Sequence, residues 1–156
     1  MATDVKTAEQ ILQDKGEELF WVAADVTVLE ALRTMVANKV GSVLIKEGSR
    51  IVGIYTERDL MRNTIDPAFD ASRVRIADVM TRGLKYAPHT DTAYDLMDKF
   101  LGLRLRHLLI DRKGAFIGLL SIGDVVRSAL RERTRELEAL HEVVSWEYYE
   151  EWKPRQ

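Results

Sequence analysis

Apolar positions along this chain follow two alternating rhythms. Val28, Leu32, Met35 and Val36 recur at helical spacing and predict a helix with one buried face. Thr27 stands before them as an N-cap with Glu30 three residues on, the pattern of a capping box. After Gly41 the rhythm changes to a short apolar run, Val43-Leu44-Ile45, which predicts a buried strand. Glu47-Gly48-Ser49 reads as a turn, Ile51 to Tyr55 as a second strand, and a second helix opens near Glu57. A short extended segment, Phe20-Trp21-Val22, leads into the unit.

The same order returns sixty-five residues later, where residues 24–63 align with 89–128 without a gap. Thr27 falls on Thr92, Leu44-Ile45 on Leu109-Ile110, Gly53 on Gly118, Asp59 on Asp124 and Arg62 on Arg127. Identities are few, but they occupy equivalent places in the same sequence of elements. The second copy reads Lys85-Tyr86-Ala87, then Thr92-Ala93-Tyr94-Asp95, Leu108-Leu109-Ile110, the turn Arg112-Lys113-Gly114, Phe116 to Leu120, and a helix from about Ile122.

The unit is therefore helix–strand–strand–helix with a short leading strand, an α+β pattern. About fifty residues cannot bury both faces of so small a sheet alone. Two copies packed by a pseudo-two-fold axis can. The expected organisation is a first repeat over 8–64, a linker over 65–74, a second repeat over 75–130 and a helical tail over 131–156. The linker is marked by Asp66-Pro67 and Asp70-Ala71-Ser72. Leu130, Leu137 and Leu140 among alternating Arg and Glu describe an amphipathic extension of the last helix. Trp146-Glu147-Tyr148-Tyr149-Glu150-Glu151-Trp152 follows as an acidic, aromatic tail.

Composition narrows the classes. The chain has 156 residues, 46% of them hydrophobic, and no cysteine, which excludes disulfides, thiol catalysis and thiolate metal sites. No apolar run approaches the roughly 20 residues that span a bilayer. No apolar stretch precedes the first arginine, Arg33, so no secretory or transit segment is expected. A formal charge of −2 gives no electrostatic reason to expect nucleic acid or an anionic membrane. The tail beyond Ser128 holds seven acidic and five basic residues, which accounts for that whole imbalance. A soluble, cytoplasmic protein is the expectation.

At each strand-to-helix junction a glycine precedes two apolar residues, a hydroxyl and an aspartate. The copies read Gly53-Ile54-Tyr55-Thr56-Glu57-Arg58-Asp59 and Gly118-Leu119-Leu120-Ser121-Ile122-Gly123-Asp124. Helix starts present unpaired N–H groups that suit phosphate, and an ionised aspartate accepts from both hydroxyls of a ribose. Arg58 adds a cation. The same spacing is also a capping box, which needs no ligand, and the residues alone leave both readings open. His89, His107 and His141 are far apart and have no cysteine companions, so no metal site is expected. There is no P-loop and no nucleophile constellation, so no catalytic residue is assigned.

The repeated G-h-h-[ST]-x-x-D motif (h, apolar) resembles that of the cystathionine β-synthase (CBS) domain, and the pair resembles the tandem arrangement called a Bateman module. Val79-Met80-Thr81 and Leu105-Arg106-His107-Leu108 support the likeness, the latter with Leu109 where the family commonly has proline. Leu12…Lys15-Gly16, Thr56-Glu57-Arg58-Asp59-Leu60 and Gly118 to Val126 look like the stand-alone two-CBS proteins of bacteria and organelles. The resemblance covers about residues 8–130. It implies a non-catalytic regulatory module that senses energy state by binding an adenine nucleotide (AMP, ATP or NAD(H)) between the repeats. By that resemblance Asp59 and Asp124 hold ribose, Thr56 and Ser121 contact ribose or phosphate, and Lys15, Gly16, Met80 and Thr81 border the adenine. By the same resemblance Arg106 with His107 is expected to face phosphate, while Arg58 is the cation that the residues alone place where a phosphate could lie. Their counterparts are Gly41-Ser42 and Gly123, so the two clefts are not equivalent. The family's habit further implies a homodimer and a regulated partner protein. The alternative from another class is a structural interaction module without ligand, acting through its helical tail.

Overall fold

The computed structural model describes residues 5–16 and 18–138, with side chains described through residue 135. Leu137 as a packing residue, Leu140 and the aromatic tail lie outside what is described. The elements run α1 (Ala8–Lys15), β1 (Trp21–Ala23), α2 (Val28–Ala37), β2 (Ser42–Glu47), β3 (Arg50–Thr56), α3 (Glu57–Asn63), α4 (Ile76–Val79), β4 (Tyr86–Pro88), α5 (Ala93–Leu103), β5 (His107–Arg112), β6 (Ala115–Ser121) and α6 (Ile122–Glu138).

Two three-stranded sheets form, ordered β1-β2-β3 and β4-β5-β6, each with one parallel and one antiparallel pairing. Their registers coincide at the sixty-five-residue offset. Trp21 pairs Leu44 as Tyr86 pairs Leu109, and the ladder slips by one residue between Ile45 and Lys46 as it does between Ile110 and Asp111. The repeat read from sequence is thus a repeat of hydrogen bonding. The expected boxes at Thr27/Glu30 and Thr92/Asp95 both form, and a third, Thr7/Gln10, opens α1.

β2 and β5 are buried on both faces, which is why each reads as a continuous apolar run. Val43 and Ile45 pack into the first repeat's core, and Leu108 and Ile110 into the second's. Leu44, Ile54 and Leu109 face the other way and meet between the sheets, flanked by Leu19, Ile51, Leu84, Phe116 and Leu119. One helical expectation is corrected. Val36 is 78% exposed, and Ala31 lies inward with Val28 and Met35 because those three positions share the face over β2.

The helix that precedes each repeat packs on the other one. Ala8 and Ile11 of α1 belong to the second repeat's core, and Ile76 and Met80 to the first's. Backbone hydrogen bonds fix the exchange: Ala8 N–H to Asp91 O at 2.7 Å and Ala93 N–H to Lys6 O at 3.0 Å, with Ile76 N–H to Val26 O and Val28 N–H to Val74 O, both 2.9 Å. The Glu9 carboxylate adds an ion pair to Arg112 and accepts a 3.0 Å hydrogen bond from His89 Nδ1. Close approach requires the motif glycines. A Cβ on Gly53 would lie 2.4 Å from Met80 Sδ, and one on Gly118 would lie 2.6 Å from a Leu12 methyl. Between the repeats, Asp66 and Asp70 accept from the N–H groups of Ala68 and Ser72 two residues on, the aspartate turns that the loop composition suggests. Among the described residues no helix is long and apolar enough to cross a membrane.

Candidate functional site

Both motif aspartates form the capping boxes that the spacing allowed. In the first repeat Thr56 N–H and Oγ1 donate to Asp59 Oδ2 at 2.9 and 3.0 Å, while Thr56 Oγ1 accepts from Asp59 N–H at 3.3 Å. In the second, Ser121 N–H donates to Asp124 Oδ2 at 2.8 Å and Asp124 N–H donates to Ser121 Oγ at 3.1 Å. The boxes hold the carboxylates at the strand ends, where β3 and β6 deliver them beside the segment entering from the other repeat.

There the two repeats diverge. Thr81 exchanges backbone hydrogen bonds with Ile54 (2.9 and 3.0 Å), adding a rung to β3, and its Oγ1 donates to Asp59 Oδ1 at 3.1 Å. Asp59 is 7% exposed. At the equivalent place Lys15 Nζ donates to Asp124 Oδ2 at 2.8 Å and to Leu119 O at 3.0 Å. Burial alone would raise the Asp124 pKa. The Lys15 ammonium and the Ser121 donors outweigh it and hold the carboxyl below its ordinary value.

A solvent-open cavity of about 470 Å³ lies between the repeats, within the range of small-molecule sites. Ile54, Leu84, Leu105 and Leu109 supply its apolar wall, and Thr56, Asp59, Thr81 and Ser121 its polar floor. Five cations, Arg58, Arg62, Lys85, Arg104 and Arg106, face two carboxylates, Glu57 and Asp59. Although its net charge is −2, the protein here gathers positive charge around an open cleft, a local field that attracts anions. His107 is half-buried in the same wall, and burial first, then the Lys15 charge, lowers its pKa, so it is neutral at pH 7.

Of the residues singled out in the sequence, Thr56, Arg58, Asp59, Thr81, Arg106, His107 and Ser121 share this cavity. Four others do not. Lys15 and Gly16 line a neighbouring cleft with Leu12 and Gly118. Asp124 opens on a third with Lys6, Arg127 and Arg131. Met80 is 8% exposed, packed on Gly53 within the first repeat's core. The sequence reading missed Arg62, Lys85 and Arg104. Arg62 stands four residues after Arg58 on α3, a helical spacing that was available. Arg104 owes its place to a left-handed backbone (φ 53°) that caps α5, and Lys39 (φ 54°) repeats that conformation sixty-five residues earlier. Among the described residues no cluster of three His, Asp or Glu is placed to hold a metal ion.

Comparison with known proteins agrees with this fold. A family model described as CBS domain matches residues 3–66 and 76–131. A mitochondrial CBS domain-containing protein of Arabidopsis thaliana is 30% identical over 151 residues, covering 91% of this chain and 73% of that protein. A putative signal-transduction protein with CBS domains from Burkholderia ambifaria is 29% identical and superposes with a TM-score of 0.76 over 90% of this chain and 100% of that one. A CBS domain protein from Pyrobaculum aerophilum, solved in complex with AMP, is 20% identical and shares the fold at a TM-score of 0.67, covering 83% of this chain and 99% of that one.

Proposed function

Because this chain belongs to the CBS domain family, we propose that it is a non-catalytic regulatory module that binds an adenine nucleotide in the cleft framed by Thr56, Asp59 and Thr81. The observation that carries this reading is the Asp59 carboxylate. It is buried, accepts from hydroxyl and amide donors with Arg62 4.0 Å away, and lies at the edge of a groove with three more cations than carboxylates. A carboxylate has about four acceptor positions, and three short hydrogen bonds leave room for a ligand hydroxyl. A ribose hydroxyl bound to Asp59 directs the base toward Ile54, Leu84 and Leu109 and the phosphates toward Arg58, Arg62, Arg104 and Arg106. AMP, ATP and NAD(H) all carry that adenosine phosphate. The AMP held by the Pyrobaculum aerophilum relative is in keeping with it.

A ligand acts on such a module by binding one packing of the repeats more tightly than another, and a partner protein reads the shift. A second copy of the chain is the partner the surface favours. Large exposed apolar residues occur in pairs at the repeat offset: Val36 with Leu101, Met61 with Val126, Ile65 with Leu130. Two related apolar helix faces left in water suit a symmetric self-contact.

Calorimetric titration with AMP, ATP, NAD and NADH tests the reading. Saturable binding that Asp59→Asn abolishes supports it. Absence of heat and of any thermal shift with all four nucleotides overturns it.

A further inference from the structure

The two clefts differ at one side chain in a way that decides how many ligands the chain takes. At the sixty-five-residue offset Asp124 corresponds to Asp59, Leu119 to Ile54, Gly16 to Thr81 and Lys15 to Met80. In the first cleft Met80 turns into the core and packs on Gly53, and a thioether offers nothing to a carboxylate. The Ile54–Thr81 bridge then closes the strand edge, and Asp59 receives only neutral donors at hydrogen-bond distance. In the second cleft no such bridge joins Leu119 to Gly16 among the described residues. The freed Leu119 carbonyl and the Asp124 carboxylate both accept from Lys15 Nζ, at 3.0 and 2.8 Å.

We infer that Lys15 is an internal plug of the second cleft: its ammonium occupies the position of a ligand's hydroxyl donors, so each chain binds one nucleotide, at the Asp59 cleft. The inference rests on the nucleotide reading above. A carboxylate is acceptor-only, so a ribose diol and an ammonium compete for the same oxygens. The ammonium brings a full charge to a side chain only 13% exposed, and charged donors bind about twice as strongly as neutral ones. Asp124 Oδ1 faces Arg127 at 3.6 Å much as Asp59 Oδ1 faces Arg62 at 4.0 Å, so the Lys15 ammonium on Oδ2 is what sets the second carboxylate apart. Lys15 is held in place by its backbone. It ends α1, which is tied to the second repeat by the Ala8, Glu9 and Ala93 hydrogen bonds, and Gly16 turns the chain directly after it at φ 87°. A nucleotide entering this cleft must therefore displace Lys15 from the end of a helix that bridges the repeats.

The test is titration calorimetry with ATP on the full chain, with bound ATP per chain counted by native mass spectrometry. The wild-type protein is expected to take one ATP per chain and Lys15→Met two, the added site at least tenfold tighter than any second binding to wild type. Asp59→Asn is expected to bind none, and Asp59→Asn with Lys15→Met one. Lys15→Gln serves if the methionine variant does not fold by circular dichroism. Two equal sites in wild type, or one site in both Lys15 variants, overturns the plug while leaving nucleotide binding intact. No ATP on any of the proteins overturns the nucleotide reading and the plug together.

Discussion

Tyr55 donates its hydroxyl to Asn63 Oδ1 at 2.7 Å, a bond from β3 to the last residue of α3. Burial, then the nearby Asp59 charge, pushes the Tyr55 pKa up to about 12, so the donor keeps its proton at any physiological pH. Its counterparts in the second repeat are Leu120 and Ser128. Loss of the phenol leaves Ser128 Oγ buried without a partner. The orphan hydroxyl is a consequence of divergence between the copies.

Ser128→Ala is therefore expected to stabilise the chain by about 1 kcal/mol, since it removes an unsatisfied buried hydroxyl. Tyr55→Phe, which strips Asn63 of its donor, is expected to cost about 1–2 kcal/mol. Urea denaturation of the two variants checks the opposite signs.

The motif glycines predict a second asymmetry. Gly118→Ala drives its Cβ against two Leu12 methyls at 2.6 and 2.9 Å, and is expected to cost about 1–3 kcal/mol. Leu12→Ala should recover part of that loss by opening the space, a coupling visible in a double-mutant cycle. Gly53→Ala meets the Thr81 carbonyl at 3.1 Å as well as Met80, and backbone cannot rotate aside. Shortening Met80 is expected to rescue Gly53→Ala less well than Leu12→Ala rescues Gly118→Ala.

Acid stability follows from His107 and Asp124. Both are held below their ordinary values of 6.5 and 3.8, so in each case the unfolded chain binds the proton more readily. Each contribution is whole above the unfolded value and is lost as pH falls through the folded one. The urea midpoint is expected to decline in two steps, from pH 6.5 downward for His107 and below pH 3.8 for Asp124. His107→Gln should remove the upper step. Lys15→Met should weaken the lower one, because the Asp124 carboxylate then keeps its burial and loses its counter-ion.

Phosphate number should set affinity at the Asp59 cleft. With five cations in the groove, affinity is expected to rise from adenosine through AMP to ATP and to fall steeply with added salt. Arg58→Ala and Arg104→Ala should each weaken ATP by about tenfold, on the order of 1.4 kcal/mol, and leave adenosine unchanged. Calorimetry at two salt concentrations reads both effects.

Self-association should depend on the paired apolar positions of α2 and α5. Val36 and Leu101 are 78% and 67% exposed, so Val36→Glu with Leu101→Glu leaves the fold intact. By light scattering the wild type is expected to run as a dimer and the double variant as a monomer.

The sequence by itself determined the repeat, the order of elements from β1 to α3 and from β4 to α6, and the capping boxes at Thr27 and Thr92, while α1 and α4 became visible only in the structure. Each of these is local: a hydroxyl meets a carboxylate three residues on, an apolar run is short, a turn needs Gly48 or Gly114. That the two sheets share one register is in keeping with the repeat, but the register itself, with its slip after Ile45 and after Ile110, appeared only in the structure. Tertiary structure alone decided which groups share a cavity. Lys15 and Met80 occupy equivalent positions, yet one caps a carboxylate across the repeat boundary and the other fills a core, because α1 and α4 exchange places between the repeats. Arg104 enters the groove through a left-handed turn that no side-chain pattern announces. The contacts that separate one cleft from the other, such as Lys15 with Asp124, join residues distant in sequence. Charge and packing at such contacts depend on where the backbone brings the residues, and spacing along the chain does not carry that information.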